Sequence, residues 1–268
     1  MIGLEASYLA AAREAALAAG ELLLGRFRGD IEVSKKGRIN LVTEMDLAAE
    51  KVVVDTILGR FPGHGILAEE GSRHSGDGIH RWIIDPLDGT TNYAHGYRFF
   101  SVSIALEARG ALVLGVVFDP VTRELFSAVK GEGAFLNDRP IRVSSETALI
   151  DSLLCTGFSY QEEEIERNLS HFNRVIFCSR AVRRDGSAAL DLAYVACGCF
   201  DGFWELSLSP WDVAAGLLLV QEAGGRVSAF DGSPCSVYDR EFLATNGGIH
   251  AELSGLLTEA GEGPGSPP

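Results

Sequence analysis

Asp85 and Asp88, three residues apart, have the surroundings in this chain that point most directly to chemistry. The apolar run Trp82-Ile83-Ile84 leads into them, and Gly89-Thr90-Thr91-Asn92 follows. The run is short and β-rich, so it reads as a buried strand. Pro86 cannot donate to a ladder, which predicts that the strand stops near Asp85. Gly89 permits a tight turn and the close approach of a ligand. The amides of Gly89, Thr90 and Thr91 could face an anion as a helix begins, with a Thr as its cap. Two carboxylates beside an anion cradle make sense if a hard cation bridges them; alone, they would repel and at least one would take up a proton. An Asp-rich surface turn is the competing reading, because turns favour Asp and Gly. The apolar strand before the pair and Gly-Thr-Thr-Asn after it make this stretch more specific.

Further acidic positions stand at the ends of predicted elements. Glu69-Glu70 follows a short strand over 65–68, and Asp212 falls in the first turn of a helix over 211–223. The helix dipole alone would account for Asp212, and Glu69-Glu70 alone reads as a solvated pair. Apolar strands leading into the acidic sites would instead gather the carboxylates at one sheet edge. An all-oxygen set without His or Cys suits magnesium, manganese or calcium rather than zinc.

The elements that must position these groups follow from periodicity. A long Ala/Leu-rich helix over 4–28 is apolar around much of its circumference, so it packs on more than one neighbour. A hairpin over 31–42 turns at Lys36-Gly37-Arg38. A helix over 46–61 shows Leu47, Val54, Ile57, Leu58 and Phe61 as its apolar stripe, and Pro62-Gly63 stops it. Residues 72–78 read as a mobile polar loop. Antiparallel strands are expected over 101–107, 112–119 and 124–129, with a turn at Asn137-Asp138. Gly131-Glu132-Gly133 faintly suggests dinucleotide binding, but no helix follows it. From about residue 150, strands over 153–156 and 202–206 alternate with helices over 162–174 and 187–197. The Gly/Pro-rich stretch 261–268 reads as a disordered tail.

Composition narrows the function classes. The 268 residues carry a net charge of −14 and no dense basic run, which argues against a nucleic-acid face. Metal ions in a site would still admit an anionic substrate. Five cysteines without zinc-type pairs read as reduced thiols in a cytoplasmic protein, and Cys155, Cys178, Cys197 and Cys199 read as buried and inert. The N-terminus lacks the basic region of a signal peptide, and no apolar run is long enough to span a membrane.

Four blocks resemble the inositol monophosphatase family in its bacterial branch: Asn40-Leu41-Val42-Thr43-Glu44-Met45-Asp46, Glu69-Glu70-Gly71, Trp82 through Asn92, and Trp211-Asp212-Val213-Ala214-Ala215-Gly216. The block from Arg183 to Ala196 is similar to the bacterial members too. The likeness runs over about residues 4–257. It implies a mixed α/β fold, a layered αβαβα sandwich of the inositol monophosphatase and fructose-1,6-bisphosphatase type. A single domain would occupy residues 1–260, with an antiparallel-sheet half to about 150 and an α/β half from 151.

The resemblance also implies roles. Glu69, Asp85 and the carbonyl of Leu87 would hold one magnesium; Asp85, Asp88 and Asp212 would hold a second; Glu69 with waters would hold a weaker third. Glu69 and Thr90 would orient and deprotonate water, with Asp85 counted among the catalytic groups. Amides of Gly89 and Thr90 would hold the phosphate. Asp88, Gly186, Ser187, Ala188, Glu205 and Asp212 would border the substrate, with Glu205 on the inositol hydroxyls. Lys35 and Asp46 would lie near the metals; separately from the resemblance, the polar Gly-containing turn suggests that 35–40 closes over a metal when substrate arrives. The implied activity is lithium-sensitive, magnesium-dependent hydrolysis of myo-inositol monophosphate by a homodimer. Hydrolysis of phosphate monoesters asks about 20 kcal/mol or more of a catalyst, which a two-metal clamp largely meets. The rivals are a phosphatase for fructose 1,6-bisphosphate, NADP, histidinol phosphate or a 3′-phosphoadenosine nucleotide, and a regulatory binding protein that keeps the fold. His95 reads as structural, and Trp82 and Trp211 as packing that braces the metal shell. Arg183-Arg184 reads as a substrate contact or as a solvated or subunit-interface pair.

Overall fold

The computed structural model describes residues 2–35 and 41–258. Helices α1 (Ile2–Arg26) and α2 (Glu44–Arg60) pack together and cover one face of an eight-stranded sheet. Between them β1 (Val33–Lys35) and β2 (Leu41–Thr43) pair antiparallel. The hairpin turn at Lys36-Gly37-Arg38, the rest of 36–40 and the 261–268 tail lie outside the described residues. The eight strands are β3 (Gly65–Ala68), β4 (Arg73–His74), β5 (His80–Asp88), β6 (Ser101–Ala108), β7 (Ala111–Asp119), β8 (Glu124–Val129), β9 (Gly133–Leu136) and β10 (Arg139–Ile141). Their order is β10-β9-β8-β7-β6-β5-β3-β4, and only β3 and β5 run parallel.

A five-stranded sheet is built from β11 (Leu153–Thr156), β12 (Ala181–Arg183), β13 (Gly202–Leu206), β14 (Arg226–Ser228) and β15 (Glu241–Thr245), in the order β12-β11-β13-β15-β14. Helix α3 (Thr90–Ala94) follows β5. Helices α5 (Ala188–Ala196) and α6 (Pro210–Glu222) fill the space between the two sheets, while α4 (Glu162–Cys178) and α7 (His250–Thr258) cover the outer face of the smaller one. This is the layered αβαβα sandwich.

Strand period sorts the core. Trp82 and Ile84 of β5 enter the apolar layer under α1 and α2, whereas Ile83 enters the layer with α5 and α6. Two glycines let α6 sit unusually close to its neighbours. A Cβ on Gly115 of β7 would stand 2.8 Å from the Ala215 carbonyl oxygen, and one on Gly216 would stand 2.5 Å from Leu192 Cβ on α5. No helix among the described residues is long and apolar enough to cross a membrane.

Several expectations need correction. The strand does not stop at Asp85: β5 continues to Asp88 across a register shift, so Pro86 sits in a bulge, where its missing donor costs nothing. Gly89, not a threonine, occupies the N-cap of α3. The expected loop 72–78 contains β4, an edge strand on β3. Helix α2 starts at Glu44 because Thr43 and Asp46 form a capping box, and Leu47 faces solvent while Asp46 and Glu50 are buried. Helix α4 runs on to Cys178.

Candidate active site

The site grows from the parallel pair β3 and β5. Ala68 lies opposite Ile84, and the Glu69 amide donates to the Ile84 carbonyl (3.1 Å), so Glu69 falls beside Asp85. Asp85 Oδ1 accepts from the Leu87 amide (3.0 Å), which folds the bulge back over the carboxylate. Pairing resumes at Asp88, opposite Ser101. Gly89 then takes a left-handed conformation (φ 93°), and a Cβ there would stand 2.9 Å from the Phe99 carbonyl oxygen. Only glycine satisfies both conditions. Asn92 Nδ2 donates to the carbonyls of Phe99 (2.7 Å) and Asp185 (2.8 Å), tying α3 to the turn that opens α5.

The middle layer supplies the other wall. Asp88 Oδ2 accepts from Ser187 Oγ and from the Ala189 amide (2.8 Å), so the first turn of α5 grips this carboxylate. Asp212 is the third residue of α6, and its Oδ2 accepts from the Ser209 amide (2.7 Å) in a capping box. Glu205 stands near the end of β13. Glu69, Asp85, Leu87, Asp88, Gly89, Thr90, Gly186, Ser187, Ala188, Glu205 and Asp212 all line one cleft of about 630 Å³, together with Arg184 and Trp211. Sequence reasoning singled out each of these positions, and the fold brings them together.

Burial and mutual repulsion shape the electrostatics of the cleft. Burial, then the charges of Glu69, Asp88 and Asp212, hold the Asp85 carboxyl well above the usual carboxylate range. Burial pushes Asp88 up to about 6 against the pull of Ser187 and Ala189, and pushes Glu205 up to about 8, with Asp212 adding and Arg184 opposing. Asp212 is likewise raised, by burial and then by Asp88, although its surface is only part-buried. Deeper down, burial and Glu205 raise Asp191, whose Oδ1 has no hydrogen-bond partner. Carboxylates taken out of water and set against one another demand positive charge. An all-oxygen donor set of this kind fits a hard divalent cation.

The fold adds contacts among these groups, and one further residue, that the sequence left unread. Thr90 Oγ1 lies 2.9 Å from Asp46 Oδ1 and 3.1 Å from the Leu87 carbonyl. Asp46 is fixed in turn by the Thr43 amide (2.8 Å) and hydroxyl (2.6 Å). Buried Glu50 accepts from the amides of Glu70 (2.7 Å) and Ser72 (3.0 Å) and so braces the turn that carries Glu69. A single Glu on a helix carries no sequence signal beyond a solvated face, which is why Glu50 was missed.

Other expected residues fall elsewhere. His95 is exposed, caps α3 and does not line the cleft. Trp82 does not brace the acidic shell: its Nε1 donates to His64 Nδ1 (3.1 Å) at the opposite end of the strand. Trp211 does line the cleft, with the Arg73 guanidinium over its ring at 5.7 Å. Lys35 is exposed at the end of β1, beside the undescribed residues 36–40. His64, Asp77 and His80 bring ligand atoms within 4.8 Å of one another, but away from the cleft. The two imidazoles stack at 4.3 Å with an 11° tilt, so their in-plane lone pairs cannot converge on one ion.

Comparison with known proteins agrees with this architecture. The model of the inositol monophosphatase family matches residues 5–262. An inositol-1-monophosphatase of Synechocystis is 46% identical over 254 residues, covering 94% of this chain and 88% of that protein. The Nus factor SuhB of Pseudomonas aeruginosa is 48% identical over 230 residues, covering 83% and 85%. The solved inositol monophosphatase of Anabaena superposes with a TM-score of 0.83 at 46% identity, covering 94% of this chain and 95% of that one. With the matched residues spanning nearly the whole length and the layers in the same arrangement, the chain belongs to the inositol monophosphatase family.

Proposed function

We propose that this protein is a magnesium-dependent phosphomonoesterase that hydrolyses myo-inositol monophosphate to inositol and phosphate by attack of water. One observation carries the reading: carboxylates from both sheets and from α6 converge beside the turn at Gly89, where burial and their mutual repulsion hold Asp85, Asp88, Glu205 and Asp212 above the usual carboxylate range. Glu69, Asp85 and the Leu87 carbonyl would hold one magnesium, Asp85, Asp88 and Asp212 a second, and Glu69 a weaker third. When bound, magnesium supplies positive charge that acidifies water and offsets charge on the phosphoryl and leaving oxygens.

The chain does the rest. Thr90, anchored between Asp46 and the Leu87 carbonyl, presents an oriented hydroxyl to the attacking water, and Glu69 takes its proton. The amides of Gly89 and Thr90 receive the phosphoryl oxygens. Gly186, Ser187 and Ala188 form the facing wall, and Glu205 accepts hydrogen bonds from substrate hydroxyls once ionised. We read residues 1–260 as one domain, and the protein as cytoplasmic, homodimeric and lithium-sensitive.

A hydrolysis panel against magnesium concentration, with and without lithium, tests the proposal. Inositol 1-phosphate should lead fructose 1,6-bisphosphate, NADP, histidinol phosphate and a 3′-phosphoadenosine nucleotide. A roughly tenfold lead for fructose 1,6-bisphosphate would overturn the substrate assignment. The Pseudomonas relative's designation as a Nus factor motivates a second reading, in which the protein also serves a regulatory complex. Full rescue of a deletion strain by Asp85→Asn would favour that role over catalysis.

A further inference from the structure

Helix α5 grips Asp88 at its first turn and ends, nine residues on, in a turn that sets two thiols side by side. The Gly198 amide donates to the Val195 carbonyl (3.1 Å) and the Cys199 amide to the Tyr194 carbonyl (2.9 Å). These are the two bonds of a Schellman cap, with Gly198 supplying the left-handed residue at φ 78°. Cys197 and Cys199 flank that glycine, and the reversal of the chain brings their sulfurs to 3.5 Å. Neither residue lines the cleft, both thiols are free, and Cys199 is exposed while Cys197 is half-buried. The sequence expectation of buried, inert thiols is therefore wrong for Cys199.

The two sulfurs are not equivalent. The Cys197 thiol donates to Cys199 Sγ and also lies 3.6 Å from the Tyr194 carbonyl. Its donated proton brings the Cys199 thiol down to about 7, against burial and the nearby Glu124 carboxylate. Cys197 is pushed upward by the same bond and by burial. One sulfur is thus an accessible nucleophile at neutral pH, and the other is a partner within reach of any electrophilic sulfur formed on it.

We propose that Cys197 and Cys199 form a peroxide-oxidisable dithiol, a modification site apart from the phosphatase cleft. The Cys199 thiolate attacks one oxygen of hydrogen peroxide; the O–O bond breaks, and the departing hydroxide takes a proton to leave as water. Cys199 becomes a sulfenic acid. Cys197 sulfur, giving up its proton, then attacks the Cys199 sulfur; the S–O bond breaks and a second water leaves. Two thiols and one peroxide become one disulfide and two waters, and a dithiol reductant reverses the change.

The test uses the full chain, low equivalents of peroxide, quenching with N-ethylmaleimide and peptide mass spectrometry. The wild type should lose the maleimide adducts of Cys197 and Cys199 together, and dithiothreitol should restore both. Cys197→Ser should accumulate a dimedone-trapped sulfenic acid on Cys199, while Cys199→Ser should keep Cys197 reduced. Without peroxide, Cys199 should be alkylated at pH 7 at least about tenfold faster than Cys235, whose thiol burial raises to about 11. Retention of both adducts in the wild type, or equal peroxide sensitivity of Cys197 with and without Cys199, would overturn the proposal.

Discussion

At the start of β5, Asp77 accepts from the amides of Ile79 and His80 (both 2.8 Å) and from His80 Nδ1 (2.9 Å), and these bonds hold its carboxyl well below the usual range. At the other end, Asp85 and Asp88 are buried among like charges and held above that range. The two ends of one strand thus hold carboxylates under opposite rules. The first end is solvated, paired and satisfied by its own loop. The second gives its carboxylates neutral donors but little water and several like charges, which costs folding free energy unless positive charge offsets them. A grouping of potential ligands is therefore weaker guidance than the state in which the fold holds them.

The sharpest way to break this contrast is Asp85→Asn. Hydrolysis should fall about a thousandfold or more in kcat/KM, while the metal-free protein should melt at the same temperature or higher, since a carboxyl whose ionisation is costly there becomes a neutral amide. Steady-state kinetics and calorimetry check the two signs; activity within tenfold of wild type would sink the contrast. Next in size is the response to magnesium. At about a hundred times its dissociation constant, magnesium should add about 2.7 kcal/mol to the wild type and far less to Asp85→Asn, measured by denaturant melts.

The same melts without metal carry a pH signature. Asp88 at about 6 and Glu205 at about 8 lie above their unfolded values of about 4, so the folded state holds the extra protons. Their contribution is complete below about pH 4 and fades as pH rises towards 8; saturating magnesium should remove that decline. Glu205→Gln should cost roughly tenfold, mostly in KM, because in the proposed reading the residue positions the alcohol and does not touch the phosphoryl group. Smallest is Asp77→Asn, which should leave kcat within about twofold. Its pH effect has the opposite sign: Asp77 sits below its unfolded value, so it contributes above about pH 4 and fades in acid.

How much of this was legible in sequence depended on whether a feature was contiguous. Asp85, Asp88 and the Gly-Thr-Thr that follows sit in one stretch, so both the turn and its chemistry could be read. Asp212 gained its meaning only beside that stretch. Glu50 acts through partners distant in sequence, and it looks like an ordinary polar residue on a helix. Pro86 misled because the rule that removes it from a ladder also permits it in a bulge. Strands β9, β10, β12 and β14 are only three or four residues long, too short for alternation to register; β15 and α7 also went unread. The thiol pair at the end of α5 followed from a turn geometry that Cys-Gly-Cys alone does not announce.

The close seat of α6, fixed against β7 by Gly115 and against α5 by Gly216, works as a gauge block beside the larger sheet. Asp212 rides on the first turn of that helix, whereas Asp85 belongs to the sheet beneath it. A side chain at Gly115 would push α6 off the sheet and one at Gly216 would push it off α5; either would move Asp212 relative to Asp85 and alter the gap that the proposed shared ion would span. The spacing of the proposed metal site thus depends on two hydrogen atoms that never meet it.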